Sequence, residues 1–299
     1  VVSDVTSTRL LAPETVGELV AALAQATPQT RLLAGGTDLV RTLRRPGSEP
    51  DILIDLSDLR ELAEVRLDGG RLHVGALCTF TQLQWEPLVR EHALCLSLAA
   101  AQVGSTQIRN VGTVGGNVAN ASPCADGATA LTALDAEVST LDGSGVTRKR
   151  TIGEVVLGPN RTSLGCDEAI TGFEFPALGP EHRSAFSKIG SRTAVSVARL
   201  SCGLVVRYDA ASGTLASVRV ALGAVGDTAF RAPELEKELE GQPVNEETAR
   251  LFAEGCVTAV QRSIPGRYSL PYKRHAAVGL AYDAWNMLAL GVPCEPAWS

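Results

Sequence analysis

The sequence is short of the features that most often reveal a function. No stretch approaches the roughly 20 consecutive apolar residues that span a bilayer, so no transmembrane helix is expected. Residues 1–10 mix Asp4 and Arg9 among small polar residues, unlike a signal or transit peptide, and a cytoplasmic protein is expected. A net charge of −6 leaves no basic footprint for nucleic acid. The seven cysteines, Cys78, Cys95, Cys124, Cys166, Cys202, Cys256 and Cys294, are odd in number and form no CxxC pair; the nearest two, Cys78 and Cys95, are sixteen residues apart. That pattern argues against a disulfide framework and a zinc site. It also lacks the tight run of thiolates on which an iron–sulfur cluster usually draws. Free cysteine packs like a small hydrophobe, so most of these read as apolar filler, and any redox partner must bring its own metal. His92 and Cys95 would make a metal pair, but a surface histidine beside a buried cysteine is the simpler reading. Neither a G-x-G-x-x-G at the first strand–helix turn nor a G-x-x-x-x-G-K-[ST] occurs, so a dinucleotide would have to bind outside a Rossmann frame.

At 299 residues, with 45% hydrophobic and 20% charged side chains, the chain suits two globular domains. Thr15 and Glu18 have capping-box spacing ahead of Leu19, Val20, Leu23 and Ala24, which predicts a helix. Residues 31–34, 51–56 and 71–75 read as strands, the first of them buried. Thr79 and Gln82 repeat the capping spacing at the head of a helical pattern that runs to about residue 100. This alternation describes an α/β or α+β region around a mixed sheet. Beyond Asp167 the texture changes: strand-like runs at 169–175, 200–208 and 218–224 precede helical patterns at 232–239, 246–262 and 270–290. The boundary falls near 177–182. It divides an N-terminal domain, 1–178 with subdomains of about 1–57 and 58–178, from a smaller α+β domain, 179–299.

Two segments stand out. One is Leu32-Leu33-Ala34-Gly35-Gly36-Thr37-Asp38-Leu39; the other runs from Ile108 through Gly112-Thr113-Val114-Gly115-Gly116-Asn117 to Ser122-Pro123-Cys124-Ala125-Asp126. Glycine lets a ligand approach the main chain closely, and successive N–H groups in such turns converge on anions. Two such nests would suit a pyrophosphate, with Thr37, Thr113 and Asn117 adding donors. The plainer reading is that the glycines serve bulges or tight turns.

Taken together, these segments resemble the two FAD-binding stretches of the molybdenum hydroxylase flavoproteins, the xanthine dehydrogenase and carbon monoxide dehydrogenase type. The resemblance runs over essentially the whole chain, including residues 186–192 and Pro271-Tyr272-Lys273-Arg274-His275. It implies an α+β fold: a vanillyl-alcohol-oxidase-type (PCMH) FAD-binding domain of two subdomains plus the C-terminal domain. By the same resemblance, Leu32 to Leu39 would wrap the pyrophosphate and ribityl chain, and Gly112, Thr113, Gly116 and Asn117 would meet that region from the other side. Ala119, Asn120 and Asp126 would lie along the adenosine half, with Asp126 accepting from ribose hydroxyls. Ile170 and Lys188 match positions that approach the isoalloxazine ring, and Val103, Gly104 and Ile108 positions that pack near it. No fused iron–sulfur or molybdopterin domain is present, which suits separate subunits, and Gly36 stands where the large relatives often carry Asn.

The chemistry implied is electron relay. A molybdopterin large subunit would oxidise substrate, a [2Fe–2S] small subunit would pass electrons singly, and FAD here would deliver them to an acceptor such as NAD. Lys188 would favour the reduced flavin; otherwise it is a solvated surface lysine. His73, His92, His182 and His275 all lie outside the glycine segments, so non-covalent FAD is expected. Tyr268, Tyr272, Lys273 and Arg274 read as the capping turn of the last helix or as subunit contacts, and Arg44 and Arg45 beside Pro46 as a solvated loop. The alternatives are a self-contained flavin oxidoreductase on the same fold, or a scaffold that has lost its cofactor. Few aromatics (4%) and no motif histidine weaken the first; intact Gly36, Gly116, Asn117 and Asp126 weaken the second.

Overall fold

A computed structural model describes residues 8–192 and 195–288; Cys294 and the end of the expected terminal helix lie outside them. The chain opens with β1 (Arg9–Leu11), α1 (Val16–Leu23), β2 (Arg31–Leu33), α2 (Leu39–Leu43) and β3 (Ile52–Asp55). The strands form a parallel sheet in the order β1-β3-β2. Ile52 and Ile54 alternate inward against Leu19 and Leu23 of α1, strand period 2 meeting helix period 3.6. Each fully buried side chain of this size contributes about 1.5–3 kcal/mol. The capping box of α1 is only half formed. The Thr15 hydroxyl accepts from the Glu18 N–H (3.2 Å), but the Glu18 carboxylate accepts from Glu14 N–H (2.8 Å) rather than from Thr15. β2, expected to be buried, is an edge strand with half-exposed leucines, because its open side borders the cleft described below.

A second sheet uses β4 (Val65–Asp68) and β5 (Arg71–Gly75), joined through Gly69 (φ +54°) and Gly70 (φ +76°). Two successive residues at positive φ are what a two-residue type I′ hairpin requires. The long helix expected from Thr79 is three helices: α3 (Phe80–Trp85), α4 (Pro87–His92) and α5 (Leu94–Ala101). Pro87 holds Glu86 extended (ψ 120°), and Ala93, at φ −158°, makes the second break. There follow α6 (Thr106–Val111), α7 (Val114–Ala119), α8 (Asp126–Ala133), β6 (Glu137–Asp142), β7 (Thr147–Thr151), α9 (Ile152–Val155), β8 (Val156–Gly158), β9 (Arg161–Thr162) and β10 (Glu168–Pro176). Strands β4-β5-β10-β6-β7 form one antiparallel sheet. The mixed sheet expected from sequence is therefore two sheets, one parallel and one antiparallel. The short turns of β4–β5 and β6–β7 permit only antiparallel pairing, whereas the longer crossovers of the first sheet permit parallel pairing. Phe173, Leu72 and Val138 face the helices. On the opposite face Glu174 is held by Arg71 and by Lys149 (2.7 Å), which keeps its carboxyl below the usual range.

The C-terminal part contains β11 (His182–Gly190), not anticipated as a strand, then β12 (Ala198–Asp209), β13 (Thr214–Gly223), β14 (Phe230–Arg231), α10 (Pro233–Leu239), α11 (Glu246–Ser263) and α12 (Leu270–Met287). Its antiparallel sheet, in order β11-β12-β13-β14, is buried on both faces. Leu204, Val206, Val220 and Leu222 pack with α11 and α12, while Phe186, Val205 and Ala221 join the core of the preceding domain. Gly203 lets α8 approach, since a Cβ there would lie 2.9 Å from that of Ala133. Tyr272, Lys273 and Arg274 lie inside the first two turns of α12 rather than before it. His92 is not a surface residue: its ring is largely buried and its Nδ1 meets the Leu178 carbonyl at 3.0 Å, tying α4 to the crossing between domains.

Candidate functional site

Between β2 and α2 the chain turns through Ala34 to Asp38. Gly36 has φ +69°, and a Cβ on Gly35 would overlap the Val111 carbonyl, so the two motif segments touch backbone to backbone here. None of the described residues accepts from the N–H of Gly35, Gly36, Thr37 or Asp38. These consecutive free amides form one wall of a cleft of about 290 Å³. Unlike buried amides, which are nearly always paired, these half-exposed donors are left for solvent or a ligand.

The second segment is built differently. Val114 N–H donates to the Cys78 carbonyl (3.0 Å), Gly115 to Ala76 (2.8 Å), Asn117 to the Thr113 carbonyl (3.0 Å) and Gly112 to Ile108 (2.7 Å). Gly116 N–H donates to the Thr113 hydroxyl, the N-cap of α7, at 3.1 Å. A Cβ on Gly115 would come within 2.7 Å of Ala76. The expectation of two anion nests is thus corrected to one: these glycines serve close packing, as the plainer reading had it. Asn117 Oδ1 accepts from Ala128 N–H (3.3 Å) and so fixes α7 against α8.

The cleft gathers most of the expected residues. Leu32, Ala34, Gly35, Gly36, Thr37, Asp38 and Leu39 line one side, and Gly112, Thr113, Gly116, Asn117, Ala119 and Asn120 the other, with Val103 and Ile108 at one end. Phe80 and Thr42 also line it. Thr42 sits one helical turn after Leu39, a spacing that could have found it; Phe80 follows the Thr79 cap and carries no comparable signal. Leu33 alternates away from the cleft, as a strand residue must, and Ile170 lies in the core beneath the sheet. Gly104 and Lys188 line a neighbouring cavity of about 570 Å³ with Gln102, Arg109 and Ser191. The segment between the two cavities is held by Arg109, whose guanidinium donates to the carbonyls of Val103 and Gly104 (3.2 Å each). Lys188 is not a solvated lysine. Its side chain is 6% exposed and its ammonium donates to Asp126 Oδ2 (2.6 Å) and the Gln102 carbonyl (2.8 Å). Asp126 lies at the start of α8, its other oxygen buried without a partner. Burial pushes its pKa up to about 6, against the opposing pull of Lys188.

Residues 6–178 match the family described as the FAD binding domain in molybdopterin dehydrogenase, and residues 185–288 match the CO dehydrogenase flavoprotein C-terminal domain. The chain belongs to this flavoprotein family. It is 34% identical over 253 residues to the nicotinate dehydrogenase FAD-subunit of Eubacterium barkeri, covering 83% of this chain and 84% of the relative. It is 32% identical over 250 residues to the xanthine dehydrogenase FAD-binding subunit of Escherichia coli O157:H7, covering 83% and 85%. Among solved structures, carbon monoxide dehydrogenase from Hydrogenophaga pseudoflava superposes with a TM-score of 0.84 at 28% identity, covering 94% of this chain and 97% of the other. The fold is accordingly the two-domain α+β architecture with a PCMH-type FAD-binding domain.

The cofactor of the family fits the cleft. A diphosphate needs several convergent donors, and the Gly35–Asp38 turn offers unpaired amides at a glycine pair that leaves the main chain bare. The rigid wall opposite holds its shape without a ligand, because its own amides are bonded internally.

Proposed function

We propose that this chain is the electron-transferring FAD subunit of a multi-subunit molybdenum hydroxylase. Its partners on this reading are a small subunit carrying [2Fe–2S] clusters and a large molybdopterin subunit, with an acceptor such as NAD. The FAD-binding domain is 1–178, in subdomains of about 1–57 and 58–178, followed by a C-terminal domain, 179–299. The observation that carries the reading is the row of free amides from Gly35 to Asp38 facing the Thr113–Asn117 helix start across one cleft. FAD, held there without a covalent bond, supplies the redox chemistry, while the protein supplies binding, orientation and electrostatics.

The residues divide that work. The amides of Gly35 to Asp38 and the Thr37 hydroxyl bind the diphosphate. Asn117 holds α7 and α8 in register, and Val103 and Ile108 exclude water from one end. Ile170 supports the sheet beneath the ring. Lys188, paired with Asp126 at the start of α8, would place a cation beside the flavin; that contact does not suit the adenosine role expected for Asp126. The six free thiols among the described residues suit a reducing compartment and support a cytoplasmic location; no described helix is long and apolar enough to cross a membrane.

The chain purified alone should be yellow, with one FAD per chain released by acid precipitation, and should pass electrons from NADH to a dye without oxidising an organic substrate. A colourless protein that cannot be reconstituted with FAD would refute the reading.

A further inference from the structure

The short helix α2 has a composition at odds with its surroundings. Leu39, Val40 and Leu43 make three of its five residues apolar, yet none belongs to any of the hydrophobic clusters of the described residues. Val40 is 41% exposed. Arg41, Arg44 and Arg45 are exposed on and just beyond the same helix, and none forms an ion pair with a described carboxylate. In a chain of net charge −6, this is a local concentration of positive charge around an apolar side chain. It is not a loose loop either. The Ser48 hydroxyl donates to the Thr42 carbonyl (2.7 Å), and Ser48 N–H to that of Arg45 (3.2 Å), so the arginines stand on a closed turn.

A helix that joins none of the described hydrophobic clusters and presents Val40 among unpaired arginines is unfinished as an intramolecular structure. Burial of Val40 stabilises only if another surface covers it, and arginine is the cation most suited to interface carboxylates. The helix also lines the cofactor cleft, through Leu39 and Thr42. A protein seated on its outer face would lie about 10 Å from the cleft, one helix diameter.

We propose that α2, through Val40 and the Arg41–Arg44–Arg45 cluster, is the docking surface for an acidic face of the electron-donating iron–sulfur subunit. This rests on the reading of the chain as an electron-transfer subunit. The positive charge selects an acidic partner, and continuity with the cleft selects the subunit that must approach the cofactor rather than one that only supports the assembly.

The test uses the assembled complex. A photo-crosslinking amino acid at position 40, with all arginines intact, should couple this chain to the iron–sulfur subunit on illumination. Coupling to the molybdopterin subunit alone, or to nothing, overturns the proposal. Reversing the charges (R41E/R44E/R45E) should leave the flavin content of the isolated chain unchanged and weaken assembly about tenfold or more at low salt, with the difference narrowing as salt rises. A yellow variant that assembles like the wild type overturns the proposal. So does a variant that loses flavin together with its partners, for α2 would then serve only the cleft. Wild-type binding to phosphatidylglycerol vesicles that the variant lacks, with assembly untouched, would assign the cluster to a membrane surface instead. A wild-type chain without flavin would defeat the functional reading, while the crosslink would still report whether α2 docks a subunit.

Discussion

The two glycine segments are near-twins in sequence and opposites in structure. In the first, Gly35 to Asp38, the amides are unpaired and the following helix joins none of the described hydrophobic clusters; in the second, Gly112 to Asn117, described acceptors take nearly every amide and the following helix is locked to α8. One side of the cleft is open and awaits its partner, and the other is finished before any ligand arrives. A Gly-Gly pair thus announces close approach but not what approaches. At Gly35 it is the Val111 carbonyl of the neighbouring loop, and on the proposed reading the diphosphate as well; at Gly115 it is Ala76.

Mutations should separate the two sides, and the largest effect is expected on the finished one. Lys188→Met strips the buried Asp126 of its cation and should cost about 3–5 kcal/mol of stability at neutral pH. The Asp126 carboxyl is raised in the folded state, to about 6. Its contribution to stability is therefore fully present below the unfolded value near 3.8 and is lost as pH rises through about 6. Without Lys188 the folded value rises further. The deficit should then be widest at pH 7 and shrink on acidification toward pH 5, and thermal melts across that range check it. A deficit that does not change with pH would mean that Asp126 is not the group responsible, and Asp126→Asn should abolish the pH dependence.

Gly115→Ala comes next. Overpacking against Ala76 should cost about 1–3 kcal/mol in the cofactor-free protein, seen as a lower midpoint in urea. Gly36→Ala, at a positive φ, should cost about 1–2 kcal/mol of strain, but its larger signature is a weaker hold on FAD in a fluorescence titration. If Gly36→Ala unfolded the chain while Gly115→Ala only released flavin, the contrast between the segments would be inverted. The finest comparison is between the threonines. Thr113→Ala removes the α7 cap and should lower stability by about 1 kcal/mol with little direct change in FAD affinity. Thr37→Ala removes a hydroxyl that no described residue engages and should weaken FAD about five- to tenfold, the worth of one hydrogen bond, with stability unchanged.

Much of the fold was legible because its signals are local. Thr15 and Thr79 mark helix starts, and the strands of residues 52–55 and 71–75 show their alternation within a few residues. The helical pattern after Thr79 does not mark its two breaks, because apolar periodicity continues across Pro87 and Ala93, where the backbone does not. The complete capping box is at Thr151 and Glu154, where only a four-residue helix follows and no apolar run advertises it. β11 escaped notice because its alternating faces are both buried, one in each domain's core, which erases the polar–apolar rhythm of a surface strand.

The site divides in the same way. Chain chemistry alone determined which segments border the cleft, since only glycine permits the Gly35 approach and the positive φ of Gly36, and both are readable as letters. Tertiary structure alone decided which amides stay free, that Lys188 meets Asp126 sixty-two residues away, and that α2 joins none of the described hydrophobic clusters. Hydrogen-bond acceptors, counter-charges and packing surfaces come from elsewhere in the chain. A sequence carries no record of those distances until the sheets fix them.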